Sequence, residues 1–265
     1  MGTKYTSKLT NQRVLILGGT SGIGFCVAEA ALEHGAMVII ASSNQSKLDQ
    51  TVARLQKTYP TQVAKHPILT HVCDLSDIPS LDTNLESLLR VATADGTRKL
   101  NHVVTTAGNA VRLPPLADVT PEDVYRIMDV RLVAPAILAK YIPKYVEQST
   151  ASSFTLTGGM FGRKPAPGWA LGAAVTSGVE GLARGLAQDV KPVRVNAVAP
   201  GAVLTELHST HSKENLEALL QHFRDGSLTG TVARPEDLAE SYIYAMKDPF
   251  LTGTVIDSNS GGLLV

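Results

Sequence analysis

The chain has 265 residues, and Lys plus Arg balances Asp plus Glu at 24 each, leaving a formal charge of zero. Its length suits one large α/β domain over 1–265, and 44% hydrophobic residues is ordinary for a globular enzyme. Neutral bulk charge argues against a nucleic-acid or anionic-membrane partner. The absence of any apolar run of about 18 residues, and of an apolar segment within 1–10, points to a cytoplasmic protein.

In chain order, short apolar runs alternate with segments of helical period, the signature of a parallel sheet covered on both faces. Residues 14–17 predict a first strand, 22–34 a helix closed by Gly35, 36–41 a second strand and 45–58 a polar-faced helix. A third strand is expected over 71–75, a helix over 81–94 and a fourth strand over 102–105. Thr120-Pro121-Glu122-Asp123 opens a long helix expected to run to residue 145. A fifth strand (154–157), a helix (173–190), a sixth strand (193–198) and a seventh (254–256) complete the pattern. The polar stretch 204–231 reads as a helical substrate lid. The expected fold is a Rossmann-type, doubly wound parallel sheet of about seven strands with helices on both faces.

The chemistry begins after the first strand, at Gly18-Gly19-Thr20-Ser21-Gly22-Ile23-Gly24. Backbone N–H groups at a helix N-terminus bind a pyrophosphate, and glycines let the chain approach it closely. Such a turn alone is a weak signal. It is joined by Asp74 after the third strand, suited to accept from an adenine amino group. Thr106-Ala107-Gly108-Asn109 follows the fourth strand, where a small turn can pass beneath a cofactor. Pro200-Gly201-Ala202-Val203-Leu204-Thr205 follows the sixth, with Thr205 and Asn109 placed to position a nicotinamide. Cofactor choice is read at the end of the second strand, where an acid would favour NAD. Here Ser42, Ser43, Asn44 and Lys47 supply hydroxyls, an amide and a cation, which favours NADP(H). Ser43 or Asn44 also suits a helix N-cap, and both readings can hold together.

In this order and at these strand ends, the motifs resemble the short-chain dehydrogenase/reductase family over nearly the whole chain. The resemblance implies a Tyr-x-x-x-Lys pair, an upstream Ser and an Asn on the long helix. The tyrosine protonates a developing alkoxide, the lysine lowers its pKa and the serine holds the oxygen. The register Val179-Glu180-Gly181-Leu182 instead puts Gly172, Thr176, Gly159 and Arg131 at those four positions. No tyrosine occurs between Tyr145 and Tyr242 that a slip in register could recruit.

Three readings of that loss stay open. An iminium substrate takes a hydride without a proton donor. A cycloaddition needs orientation rather than acid–base chemistry. A sensor or scaffold binds NADP(H) without turnover. A carbonyl reductase with displaced acid groups is a further alternative. Arg131 suits a cofactor phosphate or a polar substrate group, or a surface ion pair. Trp169, in Arg163-Lys164-Pro165-Ala166-Pro167-Gly168-Trp169, suits stacking on a flat substrate, or packing in the core. Together these features resemble an atypical branch of the family, the fungal alkaloid reductase/Diels–Alderases of malbrancheamide and paraherquamide type. That resemblance implies NADPH-dependent reduction of an iminium in a prenylated, diketopiperazine-like indole, with an intramolecular Diels–Alder step in the same pocket. Arg131 and Trp169 are its expected catalytic residues. The branch carries an acid near the tryptophan where this chain has Ala166; a natural relative without that step and an engineered alanine both fit. The two long helices resemble the family's dimer-forming pair, implying a homodimer or homotetramer. Cys26 and Cys73 read as buried hydrophobes, and His208, His211 and His222 lack a metal-ligand pattern.

Overall fold

The computed structural model describes residues 3–108, 113–206 and 213–265. Its strands are β1 (Arg13–Leu17), β2 (Met37–Ser42), β3 (Leu69–Val72), β4 (His102–Thr105), β5 (Ser153–Thr157), β6 (Arg194–Pro200) and β7 (Val255–Ser258). The helices are α1 (Gly22–Glu33), α2 (Gln45–Thr58), α3 (Pro60–Lys65), α4 (Leu81–Thr93), α5 (Pro121–Met128), α6 (Ala134–Ala139), α7 (Ile142–Tyr145), α8 (Ala170–Asp189), α9 (Lys213–Asp225) and α10 (Pro235–Lys247). The seven strands form one parallel sheet in the order β3-β2-β1-β4-β5-β6-β7.

Strand side chains alternate between the two faces, so each central strand feeds two cores. Leu15, Leu17, Ile39 and Ala41 pack under α4, α6 and α8. Val14, Ile16, Val38 and Ile40 pack under α1, α2 and α10. This is the doubly wound architecture that the alternating pattern predicts. Leu17 pairs with both Ala41 and Thr105, so β1, β2 and β4 end level with one another. The turns that follow them meet at one edge, where the strand order reverses and an open α/β sheet forms its crevice.

Three expectations need correction. The third strand is Leu69–Val72 rather than 71–75, because its partner β2 ends at Ser42, opposite Val72. Cys73 and Leu75 still face the core, but from the turn beyond. The long helix over 121–145 is broken into α5, a π-helical stretch (Asp129–Val133), α6 and α7. Pro135 lacks the N–H that would bond the Arg131 carbonyl, and Pro143 does the same to Ala139. Finally, α3 and α10 were not anticipated. The start of α10, Arg234-Pro235-Glu236-Asp237, has the same proline and acids as that of α5.

Candidate functional site

The turn after β1 is built so tightly that only glycine fits at two of its positions. Gly18 has φ +90°, and a Cβ there would lie 2.5 Å from the Ala107 nitrogen. A Cβ on Gly24 would lie 2.3 Å from both the Gly18 carbonyl oxygen and Thr106 Oγ1. Thr106 and Ala107 in turn donate their N–H groups to the Leu17 carbonyl at 2.9 and 3.0 Å. The glycine turn, the start of α1 and the turn after β4 therefore lock together.

In front of this lock lies an open cleft of about 620 Å³. Among the expected site residues, Gly18, Thr20, Ser21, Gly22, Ile23, Gly24, Ser42, Ser43, Lys47, Asp74, Ala107, Gly108, Arg131 and Thr205 all line it. Asn44 does not: it caps α2, its side chain accepting from the Lys47 N–H at 2.9 Å. Pro200, Gly201 and Val203 are absent from the lining as well. Gly201 backs onto Asn259, and Val203 forms an isolated bridge to Ala233. They shape the end of β6 instead of the cleft wall. Asn109 lies outside the described residues, as do His208, His211 and part of the expected lid, residues 207–212. The described remainder of that lid is α9 and a turn pinned by the Leu228 N–H to the Ser260 carbonyl at 2.9 Å. Among the described residues, no three His, Cys, Asp or Glu side chains form a metal-binding group, and no helix is long and apolar enough to cross a membrane.

Charge is distributed along the cleft. At one end, Arg131 leaves the π-helical stretch, and its guanidinium covers Gly108 so closely that a Cβ there would meet Cζ at 2.4 Å. Burial pushes its pKa below the usual guanidinium value, so an anion entering the cleft would stabilise its charge. At the other end are Lys47 and, missed in the sequence, Arg54. Asp74 also lines the cleft, its Oδ1 accepting from the N–H and hydroxyl of Ser76 at 2.9 and 2.7 Å. Glu206 was also missed. Its Oε2 accepts from the Gly22 N–H at 2.9 Å, so a carboxylate already sits on the first amide of α1. Cys73 also lines the cleft, and burial pushes its thiol up to about 11.

The positions where the family carries acid–base groups hold none. Gly172 is covered by the Trp169 ring, which would lie 2.8 Å from a Cβ there. Thr176 Oγ1 donates back along its own helix to the Gly172 carbonyl at 2.9 Å. Gly159 has no side chain. Thr157 lines the cleft, and its hydroxyl donates to the Thr105 carbonyl at 2.6 Å and accepts from the buried Tyr242 at 2.7 Å. Trp169 itself stacks on Phe161, with centroids 4.7 Å apart and planes at 23°. It is half-buried and does not line the cleft. Its loop is tied down by Arg163, which bonds Glu180 at 3.0 Å and both carboxylate oxygens of Asp257, and by Lys164 on the Gly262 carbonyl at 2.9 Å. The Ala166 carbonyl accepts from the Trp169 N–H at 3.0 Å.

A family model described as an SDR-like rossmann domain matches residues 5–265. The short-chain dehydrogenase/reductase malC of Malbranchea aurantiaca is 47% identical over 256 residues, covering 97% of this chain and 96% of that protein. The solved structure of the MalC reductase/Diels-Alderase from the same organism matches with a TM-score of 0.92 at 46% identity, covering 99% of this chain and 100% of that one. A small-chain dehydrogenase crystallised in complex with NADPH matches with a TM-score of 0.73 at 25% identity, over 96% of this chain and 100% of that one.

Proposed function

This chain belongs to the short-chain dehydrogenase/reductase family, and from that membership we propose that it is an NADPH-dependent reductase of an iminium in a prenylated indole alkaloid intermediate. The observation that carries the proposal is an open cleft lined by the expected cofactor residues, in a chain whose acid–base positions hold Gly159, Gly172 and Thr176. NADPH, when bound, supplies a hydride, which an iminium carbon accepts without a proton, leaving a neutral amine. A ketone would need a proton for its alkoxide. The Thr157 and Thr176 hydroxyls are both already committed to backbone carbonyls, which weighs against a displaced acid.

The chain's own residues fit the cofactor. Gly18 and Gly24 keep open a cradle that a Cβ would fill. The Gly22 N–H, which holds the Glu206 carboxylate, is placed to take an anion instead. Arg131 would hold a phosphate near the nicotinamide end, and Ser42, Ser43 and Lys47 the adenosine end. Trp169, stacked on Phe161 outside that cleft, would border the substrate, and a cycloaddition there would need only positioning. We take residues 1–265 as one domain, working as a homodimer or homotetramer.

Two outcomes are expected. Given NADPH and a prenylated diketopiperazine iminium, the enzyme yields a bicyclo[2.2.2]diazaoctane as a single enantiomer, read by chiral chromatography. A racemic product would remove the cycloaddition and leave the reductase. Glu206→Gln tightens NADPH by about three- to tenfold, because binding no longer displaces a carboxylate from Gly22. The gain should shrink as salt is raised in a fluorescence titration.

A further inference from the structure

We infer that Arg54 is a second cation for the 2′-phosphate of NADPH and sets the preference for NADPH over NADH. The inference rests on the NADPH reading above and names a residue which that reading does not use. One face of α2 turns to the cleft: Lys47, Gln50, Thr51 and Arg54 all line it, at offsets of three, four and seven from Lys47. The middle of this stripe adjoins the glycine turn, with Thr51 Oγ1 at 3.5 Å from the Thr20 carbonyl. Thr20 Oγ1 is in turn 3.5 Å from Ser42 Oγ at the end of β2. That is where this fold reads the ribose 2′ substituent.

Across the groove, Phe25 lies four residues beyond Ser21, one turn along α1 on the same side. The Arg54 guanidinium carbon is 3.8 Å from the centroid of the Phe25 ring. The stack fixes an exposed arginine whose planar fork suits a phosphate. Among the described residues Arg54 forms no ion pair. Glu29, one turn beyond Phe25, feels its charge, which opposes the upward push of burial on that carboxyl. The charge balance also calls for a second cation. A phosphate monoester carries about −1.5 to −2 at neutral pH, and Lys47 offers a single positive charge. Neither β2 nor α2 places an acid on the cleft wall.

The test is titration of NADPH and NADH into wild type, Arg54→Gln and Arg54→Lys, followed by nicotinamide fluorescence. We expect wild type to prefer NADPH. Arg54→Gln should then weaken NADPH by about ten- to thirtyfold while leaving NADH within about twofold, and Arg54→Lys should keep part of the preference. Equal weakening of both cofactors would reduce Arg54 to a packing role and overturn the inference, as would an unchanged preference. A wild type that binds both equally would instead refute the NADPH reading, and the inference with it. NADH affinity also reports whether each variant is folded.

Discussion

Replacing Gly24 by alanine is expected to abolish NADPH binding and to cost the fold about 2–3 kcal/mol. The added methyl would lie 2.3 Å from the Gly18 carbonyl oxygen and from Thr106 Oγ1. The Gly18 carbonyl is backbone and cannot swing aside. Gly18 is held by its N–H on the Ala41 carbonyl at 2.9 Å, and Thr106 by its N–H on the Leu17 carbonyl at 2.9 Å. Helix α1 must therefore move off the strand ends, carrying its N-terminal amides out of line. Urea denaturation should show the lost stability, and a fluorescence titration the lost binding. Gly181→Ala in α8 is the contrast: nothing lies within 4 Å of its added methyl, so that variant should be neutral or gain up to about 1 kcal/mol.

Arg131→Gln is expected to weaken NADPH by about ten- to a hundredfold, the worth of a hydrogen bond to a charged group. The guanidinium lies in the cleft with burial opposing its charge, and a phosphate would relieve that cost. Gly108→Ala should give the same direction of change without removing any charge. Its methyl would fall 2.4–2.6 Å from three guanidinium atoms, the far end of a flexible side chain. The fold should survive while Arg131 is pushed aside. Equilibrium titration of both variants checks the pair, and full affinity in Gly108→Ala would show that the position of Arg131 is unimportant.

Much of this site is written locally. A strand, a glycine turn and a helix must follow one another directly, so 18–24 could be read from neighbours alone. The cleft edge at Ser42, Ser43 and Lys47 is equally local. Other parts depend on distant partners. Glu206 reaches Gly22 across 184 positions, and nothing near either residue announces the bond. Cys73 and Leu75 extend an apolar alternation beyond the last paired residue, Val72, so the local pattern overruns the third strand. Strand length there is set by β2, not by the segment itself.

Pro135 and Pro143 stand inside the helix expected over 121–145, and each removes a backbone donor where the helix breaks. Arg54 follows Lys47 at helical spacing, but its stack on Phe25 needs two helices side by side. Trp169 shows the opposite case. Its presence in a proline-stiffened loop was plain, yet its ring packs on Phe161 and over Gly172, where the family's tyrosine would stand.

On the proposed function, this cleft delivers a hydride to a carbon that needs no proton. That function is tested most directly by stopped-flow absorbance of the enzyme preloaded with NADPH, mixed with a cyclic iminium or with the matched ketone. The iminium alone should consume NADPH in a single turnover. Oxidation by the ketone at a comparable rate, or by neither substrate despite bound NADPH, would contradict the proposed function.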